Sequence, residues 1–193
     1  VGKYIYASDG KAISADKNLI IEANNFKYSR ELNKLKAFKG NAIIKSDNLK
    51  IEFGEIEFDQ IDLIITAKNE VKIYESKKEM IIETDMMIYD RKNSFIQSQS
   101  NSFFKDKFNN EFITEKFFYD IPKNLLKIEN AKLKDNQGNN FQIDLAFIDT
   151  NSNKFVGKDV LIDFNSTSFN SGNEPRLKGK SIKYNNEITE INK

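Results

Sequence analysis

The sequence predicts an all-β protein in which antiparallel strands stack along one continuous body. Three observations support this class. Aromatic residues are 12% of the chain, with 16 Phe and 7 Tyr, a composition typical of strands. Apolar and polar residues alternate over many short segments. Two landmarks also recur about every 30 residues, which indicates stacked units that bury their apolar faces against one another.

The two landmarks divide each unit into a strand, a turn and a second strand. The first landmark closes an extended run and in most copies precedes Asp and a polar turn. Its copies are Tyr28, Phe58, Tyr89, Tyr119 and Ile148. The second landmark lies inside the next extended run, at Asn41, Asn69, Asn101, Asn130 and Asp159. One period shared by two independent landmarks is hard to explain by chance.

Local signals fix the first elements in order. At the N-terminus, alternating Tyr residues precede Asp9-Gly10, a pair that predicts a hairpin turn. The segment SRELNKLKAF at 29 to 38 is the one place where a helix competes, because its Leu and Phe residues fall on one side of a helix. The matching segments of other units favour a turn followed by a strand. Pro122 directly after Tyr-Asp fits such a turn and removes no ladder hydrogen bond.

The fifth unit contains the clearest amphipathic strand, after a turn at 135 to 140. Its apolar parity consists of Phe141, Ile143, Leu145 and Phe147. The other parity carries Gln142 and Asp144, so we expect the apolar set to face inward. A polar stretch at 165 to 172 indicates an insertion before a final hairpin. We therefore predict a repeat domain over residues 1-172, and a last hairpin with a junction over residues 173-193.

No constellation of residues predicts catalysis or a metal site. The chain lacks His and Cys, and its carboxylates fall in turns or alternate with apolar neighbours, as on a solvated strand face. Lys and Arg number 30 against 29 Asp and Glu, without a basic face for nucleic acid. No apolar run approaches the ~20 residues of a membrane helix. We expect no catalytic residue, metal, cofactor or nucleic-acid partner. The start at Val1, without Met or a signal peptide, predicts a mature or excised fragment.

The repeated phrase resembles the OstA-like repeat of LptA-like lipopolysaccharide transport proteins. It stands here as ADKNLIIEANNFKY and LKAFKGNAIIK within 15 to 45, as ITAKNEVKIYE at 65 to 75, and as MIIETDMMIYDRKN at 80 to 93. Within that group the chain is most similar to the periplasmic N-terminal domain of the LptD family of outer-membrane proteins. NEPRLKG at 173 to 179, followed by INK at 191 to 193, resembles the junction between that domain and its barrel. The family often has cysteines that bridge the two, and this chain has none.

The resemblance implies a fold and a function. The fold would be a β-jellyroll of stacked antiparallel strands, with two facing sheets in a V shape and a hollow apolar interior. The function would be that of a periplasmic lipid conduit, which shields lipopolysaccharide acyl chains and passes them to the outer-membrane translocon. The location would be the periplasmic side of the Gram-negative outer membrane. Implied partners are lipopolysaccharide, a soluble periplasmic jellyroll protein, and the chain's own C-terminal outer-membrane barrel with its plug lipoprotein.

Two sets of residues are candidates for these contacts. The groove-lining, lipid-binding set is Val71, Ile73, Ile82, Phe118, Leu126, Ile128, Phe141, Ile143, Leu145, Phe147, Val160 and Ile162. Tyr4 and Tyr6 mark the first strand, whose unpaired edge is expected to accept the terminal strand of the soluble partner.

Two other functions stay open at this stage. A surface adhesin or structural repeat protein would use the same stacked strands around a filled core. A polysaccharide-acting parallel β-helix enzyme would need acids and basic residues clustered at one place, and the sequence shows no such cluster. Whether the interior is open along its length separates the conduit from the structural module.

Overall fold

The computed structural model describes residues 3–135, 137–165, 176–184 and 189–192. Within these ranges the chain forms fifteen strands, and no helix there is long and apolar enough to cross a membrane. The strands are β1 Tyr4–Ile13, β2 Leu19–Ser29, β3 Lys34–Ile44, β4 Leu49–Asp59, β5 Ile64–Glu75, β6 Met80–Asp90, β7 Phe95–Ser98, β8 Ser102–Lys105, β9 Glu111–Thr114, β10 Lys116–Asp120, β11 Leu125–Lys134, β12 Asn140–Asp149, β13 Lys154–Asp163, β14 Arg176–Tyr184 and β15 Thr189–Asn192.

All of these strands belong to one antiparallel sheet, which confirms the all-β prediction. Its backbone order follows the chain from β1 to β15. Two positions in that order are each filled by a pair of short strands. β8 pairs with the first half of β6, and β7 pairs with its second half. Likewise, β10 pairs with the first half of β11, and β9 pairs with its second half. Each strand therefore pairs with strands that are close to it in the sequence.

Tight turns explain the first sequence landmark. A row of turns, here called the first turn row, lies at residues 30–33, 60–63, 91–94, 121–124 and 150–153. The Asp that follows the landmark holds the turn, as Asp59 accepts hydrogen bonds from the backbone N–H groups of Ile61 at 2.9 Å and Asp62 at 3.1 Å. Asp90 and Asp120 do the same in the next two turns. The segment 29 to 38 follows this pattern, so the turn and strand expected there are confirmed and the helix is excluded.

Irregularities in the middle of the long strands account for three copies of the second landmark. Asn69, Asn130 and Asp159 have φ angles of 63°, 52° and 51°, a conformation that Asn and Asp tolerate better than most residues. Asp9 has φ 47° and lies inside β1, which runs without interruption to Ile13. The hairpin turn predicted at Asp9-Gly10 is therefore wrong, because the strand continues through this residue pair.

The bulges fold the single sheet into two halves that face each other. Phe104 in β8 and Phe117 in β10 are not on hydrogen-bonded strands, yet their ring centroids lie 4.9 Å apart at 87°. Inward side chains such as Ile73, Ile82 and Leu126 have no water-accessible surface. Side chains therefore fill most of the space between the halves. The two facing sheets are halves of one sheet, and the interior expected to be hollow is filled by side chains.

The last two described strands form a hairpin at the C-terminal end of the sheet, where a final hairpin was predicted. Ile191 in β15 covers Gly179 in β14, so closely that a side chain at Gly179 would meet the Ile191 methyl group. The junction motif begins at residues 173 to 175, which lie outside the described ranges. The boundary between residues 1-172 and 173-193 stays a prediction.

Candidate functional site

The filled interior between the two sheet halves is the candidate site, and most of the predicted groove residues lie in it. Nine of the twelve side chains are buried, namely Val71, Ile73, Ile82, Leu126, Ile128, Phe141, Ile143, Val160 and Ile162. They come from β5, β6, β11, β12 and β13, so the apolar interior continues from strand to strand. Their contact with lipid stays a prediction.

The inward orientation expected for Phe118, Leu145 and Phe147 is wrong. Phe118 is 36% exposed and Phe147 is 37% exposed, while Leu145 is half-buried. In β12 the pairing with both neighbours skips Asp144, opposite the bulges in β11 and β13. This skip reverses the parity, so the second half of β12 buries its even-numbered residues instead.

A second feature of the site is a seam along which the two halves meet. A second turn row lies at residues 14–18, 45–48, 76–79 and 106–110, at the ends of the strands opposite to the first row. Side chains in these turns, or in the strand ends next to them, join the two rows, and we call these contacts the seam. The pairs are Asp16 with Arg91, Asp47 with Tyr89, Glu75 with Tyr119, and Lys78 with Asn151. The seam closes the interior on the side away from the bulges.

The centre of the seam is polar and buried. The Tyr119 hydroxyl donates a hydrogen bond of 3.0 Å to Glu75 Oε2, and both side chains are almost fully buried. Burial raises the pKa of the Glu75 carboxyl, and it also raises the pKa of the Tyr119 hydroxyl. Burial lowers the pKa of the neighbouring Lys78 ammonium group. Each of these groups is therefore displaced toward its neutral form.

Apolar side chains from both halves line a cavity of about 20 Å³ directly beneath this part of the seam. Its floor is formed by Met80, Phe112, Leu126 and Ile148. Its rim contains Lys78 from the second turn row and residues of the turn 150–153 from the first. A volume of this size holds about one water molecule.

The predicted partner strand lies at the N-terminal end of the sheet. β1 pairs only with β2 among the described strands, so its other edge is unpaired there. Tyr4 and Tyr6 share the outer face with Lys27, whose Nζ lies 4.2 Å from the centroid of the Tyr4 ring. Tyr6 is 68% exposed. Pairing of this edge with another protein stays a prediction.

Sequence reasoning found the landmark tyrosines but missed their partners. Tyr89 contacts an acid 42 residues earlier, and Tyr119 contacts one 44 residues earlier. The similar separation between tyrosine and acid in two successive units is a sequence signal, and aligning the units with one another could have found it. Within the described ranges, no group of three or more acidic residues is placed to hold a metal ion.

Comparisons with known proteins bear on the fold. No protein-family model matches the sequence, and no curated protein matches it. Among solved structures, the fold is similar to the crystal structure of LptH from Pseudomonas aeruginosa, described as the LptA-homologous periplasmic component of the lipopolysaccharide transport device. The TM-score is 0.50 at 12% sequence identity, over 69% of this chain and 96% of LptH. The chain therefore has an LptA-like β-jellyroll fold, as the sequence predicted.

Proposed function

We propose that this protein is a periplasmic, non-enzymatic conduit that shields lipopolysaccharide acyl chains during their transport. The observation that carries this proposal is the continuous apolar interior, which runs across successive strands of a fold similar to that of a lipopolysaccharide transport component. Side chains on neighbouring strands are alike along its length, with Ile73, Ile82 and Ile128 as examples. Uniform walls suit transport, because no position along the path would hold an acyl chain much more tightly than the next.

The binding force in this proposal is burial of acyl chains. Each methylene removed from water contributes ~0.8 kcal/mol in gross terms, so one partly buried chain would supply several kcal/mol. The net charge of +1 also supports acyl-chain burial as the main binding force, since a nearly neutral chain has no strong positive field to hold the phosphorylated head group.

The finer proposal is that the chain serves as the periplasmic domain of an LptD-like protein at the outer membrane. The repeat phrases and the NEPRLKG segment support it. In this role β1 would receive lipopolysaccharide from a soluble jellyroll protein. The C-terminal end would pass it to an outer-membrane barrel with a plug lipoprotein. Residues 1-172 would form the conduit and residues 173-193 the link to the barrel.

Two adjacent phenylalanines provide the test. Phe117 is buried and faces inward, whereas Phe118 faces outward on the same strand. We expect that p-benzoylphenylalanine at 117 crosslinks to purified lipopolysaccharide under ultraviolet light, and that the same group at 118 does so far less. Both variants carry the same reactive side chain, so position is the only difference. Equal crosslinking at both positions, or none at 117, would contradict the conduit.

The filled interior favours a second candidate, a structural or adhesive repeat module. In that case side chains such as Ile82 and Leu126 would only stabilise the fold. Such a module would bind no acyl chain, and lipopolysaccharide would protect neither Phe117 nor its neighbours from solvent. Hydrogen exchange with and without lipopolysaccharide measures this directly, because a conduit must show altered exchange on the strands that line the interior.

A further inference from the structure

The seam joins the two sheet halves by side chains, whereas backbone hydrogen bonds join neighbouring turns within each row. In the first row, for example, the Arg91 N–H donates to the Leu63 carbonyl at 3.0 Å. In the second row the Ser76 N–H donates to the Asn48 carbonyl at 3.1 Å. Separating two strands would break a whole ladder of such bonds. Local opening of the seam breaks side-chain contacts and leaves these backbone ladders intact.

The packed interior requires such an opening if a chain of methylenes is to enter. The cavity under Lys78 measures about 20 Å³, far less than an acyl chain occupies. The side chains of its floor are buried beneath a partly exposed rim, so a chain of methylenes does not fit there without displacing them. Entry must therefore displace one sheet half from the other. The cavity marks one place where packing between the two halves is incomplete.

The chemistry of the seam favours reversible opening. Glu75 and Tyr119 pair with each other in the buried, polar centre of the seam. Removing one partner from such a pair leaves the other buried and unpaired, which is costly. Moving both into water together restores their hydration, which offsets the loss of the bond. A seam of apolar side chains would gain nothing on exposure and would stay shut.

We propose that the seam at Glu75–Tyr119 and Lys78–Asn151 is a lateral port through which a lipid acyl chain enters the interior. The chain inserts between the halves at the cavity floored by Met80 and Leu126, and the halves stay apart while it is bound. This inference rests on the proposed conduit function and adds the route of access. Loading then occurs from the side of the stack.

Crosslinking across the seam tests the port, because the chain contains no native cysteine. The test variant is the full chain with Lys78→Cys and Asn151→Cys, closed by a short bis-methanethiosulfonate linker. The matched control is Asn18→Cys with Ser46→Cys, two neighbouring turns of the same row whose side chains hydrogen-bond at 2.9 Å. Binding is measured by the fluorescence of cis-parinaric acid, a fatty acid probe, and by capture of purified lipopolysaccharide.

Linking across the seam is expected to weaken binding of both probes by about tenfold or more, because the open state is no longer populated. Reducing the linker must restore binding, and linking the control pair must leave it unchanged. If the test variant does not fold, Asp16→Cys with Arg91→Cys closes the same seam at another contact and must give the same loss.

The outcomes separate this inference from the proposed function. If the cross-seam linker leaves binding unchanged while the unmodified protein binds both probes, the port is wrong and the conduit stands. If the unmodified protein binds neither probe, the conduit fails and the port fails with it.

Discussion

At the scale of single residues, the tyrosine of the first landmark contributes both to the core and to the seam. Its ring packs inside, and in two central units its hydroxyl reaches across to the opposite turn row. Tyr119 pairs with Glu75 and Tyr89 with Asp47. In the first unit the Tyr28 hydroxyl instead lies 3.2 Å from Gln60 Oε1 in its own turn row. The polar part of the seam is therefore concentrated where the landmark is Tyr and an acid lies opposite.

Glu75 gives the seam a pH dependence. Because burial raises the pKa of this carboxyl above its ordinary value of 4.5, the folded state binds its proton more tightly than the unfolded state. Its contribution to the free energy of unfolding is thus full below that value and is lost as pH rises through the folded-state pKa. Glu75→Gln keeps an acceptor for Tyr119 without the charge. We expect the melting temperature of this variant, relative to the native protein, to increase as pH rises from about 4 to about 8.

The comparison isolates Glu75, since Lys77, Lys78 and Asp47 also act on it and remain in both proteins. Glu79→Gln, at an exposed position of the same turn, is the control and should show no such trend. Thermal unfolding followed by circular dichroism across this range is the measurement. If the difference in melting temperature between the native protein and Glu75→Gln stays the same at every pH, ionisation of this buried carboxyl does not affect stability.

At the scale of strands, alternation predicted the elements but not their bends. The strands at β11 to β13 were expected from the sequence, and Phe141 and Ile143 were placed on the correct face. At Asp144 the pairing skips one residue on β12 and one on each neighbour, which shifts the inward-facing positions by one. Simple parity beyond this point therefore fails at Phe147. The filled interior was missed for a different reason, because packing density depends on how closely the halves approach. Sequence spacing does not contain that distance.

Gly40 shows how tightly the bend is packed. An added Cβ at this position would overlap the backbone carbonyl of Glu22 and lie 2.7 Å from Ala23 Cα, which cannot move without disturbing β2. Gly40→Ala is expected to lower the free energy of unfolding by about 1–3 kcal/mol or more. Gly10→Ala is the matched control, because its Cβ would lie 3.7 Å from its nearest neighbours, an ordinary contact. Chemical denaturation of both variants checks this, and an equal effect would contradict the close approach at Gly40.

At the scale of the whole molecule, one sheet that follows the chain has its two ends at opposite ends of the stack. The apolar interior continues through the central strands and is exposed at β1, where inward-facing Ile5 is 42% exposed. β1 is ten residues long and offers unpaired backbone groups on its outer edge among the described strands. Long unpaired edges are usually protected, so one that continues an apolar interior is suited to pairing with another strand.

This edge leads to the last prediction, which concerns the partner. If a soluble LptA-type jellyroll protein adds its terminal strand to β1, Ile5 becomes covered and the two interiors join. We expect p-benzoylphenylalanine at Tyr6 to crosslink a purified LptA-type protein, because Tyr6 lies on the edge strand itself. The same group at Tyr74, on the central strand β5, is the control and should give little product. A product that contains two copies of this chain would assign the edge to self-association. Crosslinking at Tyr74 alone would rule out β1 as the docking strand.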